Sequence, residues 1–187
     1  MSKYKIAVIV GSLRKESFNR KMARELIAMA PDTLSMEILE IGDLPLYSED
    51  LDSSPPDSWK RLRQQVRDAD GVLFLTPEYN RSVPGVLKNA IDIASRPYGQ
   101  NSWDGKPGGV MSVSISPLGA FGANHHLRQS LVFVNVPCMQ QPEGYISDAG
   151  DLFDEQGKVK NASTREFSQT FINAFADWVS AHAGKRG

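Results

Sequence analysis

The turn GSLRKESFN, from Gly11 to Asn19, gathers side chains of the kind that hold a phosphate. Ser12 and Ser17 bring hydroxyls, Asn19 an amide and Arg14 a guanidinium, and all of these can donate to phosphate oxygens. Charge-assisted hydrogen bonds stabilise by about 1.5 to 3 kcal/mol each, so a few of them would anchor a ligand. A dinucleotide fingerprint needs three glycines so that backbone can approach a pyrophosphate, and this turn has only Gly11. A nucleoside-triphosphate loop would end in Gly, Lys and Ser or Thr, and that triplet does not follow. A terminal monophosphate suits these residues best. The same residues also admit a plainer reading, in which Ser17 or Asn19 caps a helix and Arg14 lies in solvent.

A second stretch, TPEYNRSVPGVLKNAIDIASRP from Thr76 to Pro97, offers a different chemistry. Pro77 is rigid, Glu78 carries a carboxylate, Tyr79 an aromatic ring and Asn80 an amide, beside the main-chain amides that precede Pro84. Such a set would line a flat heteroaromatic ring, with N–H groups along its polar edge and apolar side chains around its body. The alternative for this stretch alone is a structural turn with Tyr79 packed in the core.

The elements around these stretches place them. Ile6 to Val10 is an unbroken apolar run, which reads as a strand buried on both faces. Met22, Ala23, Leu26, Ile27 and Met29 follow at helical spacing. The Gly11 turn therefore joins a strand's C-terminal end to a helix's N-terminus, where unpaired amides and the helix dipole favour an anion. Met36 to Ile41 alternates apolar and acidic residues, as an edge strand would. Gly42 to Asp57 is expected to be a long loop with enough apolar surface in Leu44, Leu46, Tyr47 and Leu51 to pack.

Further along, the pattern predicts a helix over Ser58 to Asp68, a strand at VLFLT, and a helix beyond Pro84. Val110 to Ser116 reads as a strand, PLGAFGANHHLRQSLVFV as a glycine-containing turn and a helix, and Val136 to Gln140 as a last short strand. Gly144 to Gly157 reads as loop and Ser163 to Ala183 as a closing amphipathic helix. Five strands alternating with five helices predict an α/β fold, a three-layer sandwich around a parallel five-stranded sheet. In the order 2-1-3-4-5 the first, third and fourth strands are neighbours, so the loops Gly11 to Asn19, Pro77 to Gly85 and Ser116 to Gly122 converge on one site.

Composition limits the alternatives. A chain of 187 residues suggests a single domain, spanning 1–187, and a net charge of -1 argues against nucleic acid or an anionic membrane as partner. Without a long apolar span or a leader-like start, a cytoplasmic protein is expected. Cys138, among Val134, Val136, Pro137 and Met139, reads as a buried apolar side chain. His125, His126 and His182 match no metal motif, and no metal is expected.

Taken together, GSLRKESFNRKMA and TPEYNRSVPGVLKNAIDIASRP, with HLRQSLVF as a weaker third motif, resemble the NADPH-dependent FMN reductase family, in particular its bacterial chromate and quinone reductase branch. The resemblance extends from residue 5 to about residue 140. It implies a flavodoxin-like fold that binds FMN non-covalently. By position, Ser12, Arg14, Ser17, Phe18 and Asn19 would cradle the phosphate and Pro77, Glu78, Tyr79 and Asn80 would line the isoalloxazine. Ser116 and the turn to Gly119 would close its pyrimidine side.

The resemblance further implies a ping-pong cycle, with NADPH or NADH as hydride donor and a small-molecule electron acceptor. Quinones come first, then free flavins, azo compounds or chromate, and no side chain acts as nucleophile or obligatory acid or base. Arg81, at the mouth, is expected to attract the phosphates of the nicotinamide cofactor. A homodimer or a homotetramer of two dimers is expected, with the Gly42 to Asp57 loop, Arg96, Pro97 and Tyr98 as candidate contacts. Two other classes fit less well. A flavodoxin-type single-electron carrier would show an acidic docking surface, and a phosphate-ligand sensor would show no turnover.

Overall fold

The computed structural model describes residues 3–184. The strands are β1 (Tyr4–Val10), β2 (Leu34–Leu39), β3 (Gly71–Thr76), β4 (Gly108–Val113) and β5 (Gly144–Ile146). Between and after them lie α1 (Phe18–Met29), α2 (Asp57–Asp68), α3 (Gly85–Ala94), α4 (Phe121–Phe133) and α5 (Ala162–His182). The strands form one sheet in the order β2-β1-β3-β4-β5, every neighbouring pair parallel. This is the flavodoxin-like order. The expected bounds 1–187 for one domain run at both ends beyond the described residues.

Alternation along each strand builds two cores. Ala7, Ile9, Val72 and Phe74 face one layer, where Trp59 and Leu62 of α2, Leu87 and Ile91 of α3, and Leu127 and Leu131 of α4 cover them. Ile6, Val8, Val10, Leu73 and Leu75 face the other, against Met22 and Leu26 of α1 and Phe171, Ile172 and Phe175 of α5. A central strand segment with both faces covered is apolar at successive positions, which is why Ile6 to Val10 of β1 and Val72 to Leu75 of β3 are unbroken apolar runs.

Three expectations need correction. The last strand is Gly144–Ile146, not Val136 to Gln140, which reaches the sheet only through an isolated bridge between Gly108 and Cys138. Val136 instead donates back to the Leu131 carbonyl at the end of α4, and Pro137 and Pro142 have no N–H to give a ladder. The strand GYI is short and carries no apolar run, so periodicity passes over it. Second, β4 begins at Gly108, earlier than Val110, and ends at Val113. Its two glycines make room for packing: a Cβ on Gly108 would lie 2.5 Å from Val136 Cγ1, and one on Gly109 2.8 Å from Phe175 Cδ2. Third, β2 runs Leu34–Leu39 because its register is set by β1, with Tyr4 opposite Leu34.

The Gly42 to Asp57 segment is not structureless. It contains a short 3-10 turn, Glu49–Leu51, and Asp52 serves as its hub. Asp52 accepts from Arg63 Nη2 at 3.2 Å, from Arg96 Nη2 at 3.2 Å and from the Tyr47 hydroxyl at 3.0 Å. Asn89 fastens the loop's start, accepting from Tyr47 N and donating to the Leu44 and Pro45 carbonyls.

Candidate active site

Because the strands are parallel, the loops after β1, β3 and β4 open at the same edge of the sheet, and hydrogen bonds tie them together. Gly11 N donates to the Leu75 carbonyl of β3 at 2.8 Å. Asn19 Nδ2 donates to the Val113 carbonyl of β4 at 3.1 Å. Ala123 N of α4 donates to Glu78 Oε2 of the β3–α3 loop at 3.0 Å. The order of strands thus brings the three motifs into one place.

The β1–α1 loop leaves some of its donors open and ties others down. Ser17 caps α1, its Oγ accepting from Arg20 N at 3.2 Å, which leaves the hydroxyl hydrogen free to donate elsewhere. Phe18 and Asn19 open the helix, so their N–H groups have no intrahelical acceptor. Ser12 is buried beside them. Arg14 is exposed and folds back on its own loop: Nη2 donates to the Glu16 carbonyl at 2.8 Å and the guanidinium lies 5.1 Å from the Phe18 ring centroid. Glu16, the one acid in the loop, pairs with Lys21 at 2.9 Å, and that lysine holds its carboxyl below the usual range. Asn19 is buried, its side chain engaged with β4, and its Oδ1 is left without a partner. That orphaned acceptor suits a hydroxyl donor on a ligand, not a phosphate oxygen.

The β3–α3 loop is held by the protein itself. Tyr79 and Ser82 exchange two backbone hydrogen bonds, each 3.0 Å, so YNRS is a tight two-residue hairpin. Asn80 (φ 51°) and Arg81 (φ 64°) both occupy the left-handed region that such a turn demands. Asn tolerates it; Arg81 does so at a cost. Glu78 binds both neighbours, Oε1 accepting from Arg81 Nη1 at 2.9 Å and Oε2 from Ala123 N. Ser82 Oγ lies 2.9 Å from His126 Nδ1, a second tie to α4. Tyr79 is not packed in the core; it is half exposed.

The β4–α4 loop closes the third side. Ser116 Oγ accepts from Leu118 N at 3.3 Å, and the Ser116 carbonyl accepts from Gly119 N. Gly119 has φ +57° and sits so close to β5 that a Cβ would lie 3.1 Å from Tyr145 Cβ and 3.2 Å from Ser147 Oγ. Its carbonyl accepts from the buried Ser112 hydroxyl at 2.6 Å. Behind it Asn124, fully buried, donates to Ser112 Oγ and the Gly144 carbonyl and accepts from Arg128 Nε. Tyr145 donates to Glu143 at 2.8 Å, and burial with that carboxylate pushes its hydroxyl up to about 12.

Around this edge, five apolar side chains stay at least half exposed: Leu13 52%, Tyr79 54%, Ile115 68%, Leu118 54% and Phe121 53%. All lie on the three loops or on the first residue of α4. Apolar surface gathered at a strand-end crevice, beside unpaired donors, matches a ligand with a flat apolar body and an anionic tail. Sequence reasoning missed the ties behind the loops, namely Ser112, Asn124, His126 and the Ala123 amide. A buried asparagine and serine among apolar neighbours were the available signal. No group of three His, Cys, Asp or Glu side chains that could hold a metal occurs among the described residues.

Comparison with known proteins agrees with this geometry. Residues 4–151 match the model of the NADPH-dependent FMN reductase family. A quinone reductase of Pseudomonas putida is 60% identical over 177 residues, covering 94% of this chain and 95% of its own. A 2-hydroxy-1,4-benzoquinone reductase of a Burkholderia species is 47% identical over 175 residues, 94% of this chain and 96% of its own. Among solved structures, the flavoenzyme NAD(P)H:(acceptor) oxidoreductase FerB of Paracoccus denitrificans superposes with a TM-score of 0.91 at 44% identity, covering 96% of this chain and 99% of that one. The chain belongs to the NADPH-dependent FMN reductase family, and with that membership come FMN and NAD(P)H as cofactors.

Proposed function

We propose, from this membership and the site's geometry, that the chain is an NAD(P)H-dependent quinone reductase whose FMN sits on the three strand-end loops. Bound FMN would supply the redox chemistry of hydride transfer between NAD(P)H and the acceptor, with a ping-pong cycle as the expected kinetic order. The protein supplies placement. Ser12, Ser17 and Arg14, with the Phe18 and Asn19 amides, hold the phosphate, and the unpaired Asn19 Oδ1 accepts from a ribityl hydroxyl. Pro77, Tyr79 and Asn80 flank the ring, Glu78 braces that wall, and Ser116 with Gly119 closes the pyrimidine side. Arg81, whose side chain is 70% exposed, meets the phosphates of the nicotinamide cofactor.

The observation that carries this reading is the set of half-exposed apolar side chains, Leu13, Tyr79, Ile115, Leu118 and Phe121, on the converging loops that also carry the phosphate donors. An open apolar face imposes few shape limits, so free flavins, azo compounds and chromate are expected as slower acceptors. Residues 1–187 are read as a single FMN-binding domain. No helix among the described residues is long and apolar enough to cross a membrane, and a cytoplasmic location is inferred from the need for NAD(P)H and the single cysteine.

A homodimer, or a tetramer of two dimers, is inferred from apolar surface away from the site. Leu46 is 79% and Tyr98 90% exposed on the surface that Arg96 fastens to Glu49 and Asp52, and Val132 and Phe133 project from α4. Sedimentation as a monomer at micromolar concentration would remove this inference. For the activity, the test is NADPH oxidation by the purified, FMN-loaded protein with and without 1,4-benzoquinone. Steady, quinone-dependent oxidation is expected; a yellow protein that NADPH does not reduce would point to an electron carrier instead.

A further inference from the structure

Helix α4 lacks a cap of its own. Its N-cap position is Ala120, which has no side-chain acceptor and lies at φ 61°. The Ala123 amide would be orphaned there, and it is satisfied by Glu78 Oε2, from a loop 45 positions earlier in the chain. A carboxylate at a helix N-terminus also complements the dipole. The other carboxylate oxygen accepts from Arg81, the residue forced to positive φ in the YNRS hairpin. Each oxygen of Glu78 therefore accepts one hydrogen bond from the protein. The fit at Gly122 is close: a Cβ there would lie 2.9 Å from Glu78 Oε2 and 3.1 Å from the Arg81 carbonyl, so a methyl group would push the carboxylate out of place.

We infer that Glu78 is a positioning residue, a cap supplied from a distant loop of the same chain that fixes the β3–α3 loop against α4 and so sets the width of the slot between Tyr79 and the β4–α4 turn. Its carboxylate does not act on the ring. It holds the two walls that do. Gly122 is the second half of the device, because a methyl group there would displace the carboxylate from its present position. The inference rests on the site assignment proposed above.

The test uses FMN titration of the apoprotein by fluorescence quenching, with visible circular dichroism of the bound flavin and the thermal midpoint of the apoprotein alongside. Glu78→Gln keeps an acceptor oxygen for the Ala123 amide; Glu78→Ala keeps none. Expected is at least a 10-fold rise in FMN Kd and an altered flavin circular dichroism band for Glu78→Ala, with Glu78→Gln within about threefold of wild type. Gly122→Ala, which drives a methyl group into the clamp without substituting Glu78, should reproduce the Glu78→Ala spectrum. Wild-type affinity and spectrum in Glu78→Ala would overturn the inference. So would Glu78→Gln as impaired as Glu78→Ala, since the carboxylate's charge, not its capping, would then matter. Should Glu78→Ala fail to fold, Gly122→Ala with an unchanged spectrum overturns it equally. Wild-type protein that takes up no FMN would instead defeat the site assignment itself.

Discussion

The β1–α1 and β3–α3 turns stand side by side at one sheet edge, and they are built on opposite plans. The first keeps more of its donors open: Arg14 is exposed and bonded within its own loop, the Ser17 hydroxyl hydrogen is free, and the amides that start α1 have no helical acceptor. The second commits almost everything to itself, through the Tyr79 to Ser82 bridge, the Glu78 to Arg81 pair and the Glu78 to Ala123 cap. A charged phosphate is held by hydrogen bonds that the protein leaves unmade. A flat ring is held by walls whose spacing must be fixed before it arrives, because apolar contact is short-ranged and has no direction of its own. In the proposed site the two turns would divide one ligand by chemistry, donors for its tail and preset shape for its body.

Breaking the first plan should give the largest effect. Arg14→Ala removes a charge-assisted donor that contributes little to the fold, so FMN Kd should rise about 10- to 100-fold. The stability of the apoprotein should stay within about 0.5 kcal/mol. Unchanged affinity in a fluorescence titration would take Arg14 out of the phosphate site. Ser17→Ala should act on both plans at once. Loss of the cap should cost the apoprotein about 1 kcal/mol in urea denaturation, and FMN binding should weaken by more than that destabilisation explains. Wild-type denaturation would mean that the cap to Arg20 N contributes nothing.

Arg81→Gly sharpens the contrast from the other side. Glycine adopts positive φ without strain, so the apoprotein should be stabilised by a few tenths of a kcal/mol, offset partly by the lost Glu78 pair. FMN Kd should change by less than about fivefold, while the KM for NADPH rises. An unaltered NADPH KM would end the proposed role of Arg81. The smallest effect concerns Tyr145 behind the third loop. Its folded pKa lies above the ordinary tyrosine value, so its contribution to stability is fully present below pH 10 and is lost between 10 and about 12. Tyr145→Phe should flatten that part of the stability profile; an identical alkaline limb would show that the hydroxyl is not coupled to folding.

Much of this was legible in the chain. Apolar runs in β1 and β3 announce central parallel strands, and the alternation in β2 announces an edge, which together fix the convergence of the loops. What stayed hidden depends on contacts distant in sequence. GYI became the last strand because β4 offers it a partner, and the double glycine of β4 became strand because β3 pairs with it, Val72 opposite Gly108 and Leu73 opposite Gly109. Asn19 read as a phosphate ligand by its place in the turn, yet its amide is fastened to Val113, 94 positions away. Glu78 read as a lining residue by its place in the PEYN stretch, yet its partner lies 45 positions on. Residue type tells what a side chain can bond; only the fold tells what reaches it first.

The division of labour between the two turns is tested most directly by titrating FMN and riboflavin, which differ by the phosphate alone, into wild type, Arg14→Ala and Glu78→Ala apoproteins. The expected result is a strong preference for FMN in wild type, a preference that collapses in Arg14→Ala, and in Glu78→Ala weaker binding of both ligands with their ratio preserved. A ratio lost in Glu78→Ala, or kept in Arg14→Ala, would contradict the account.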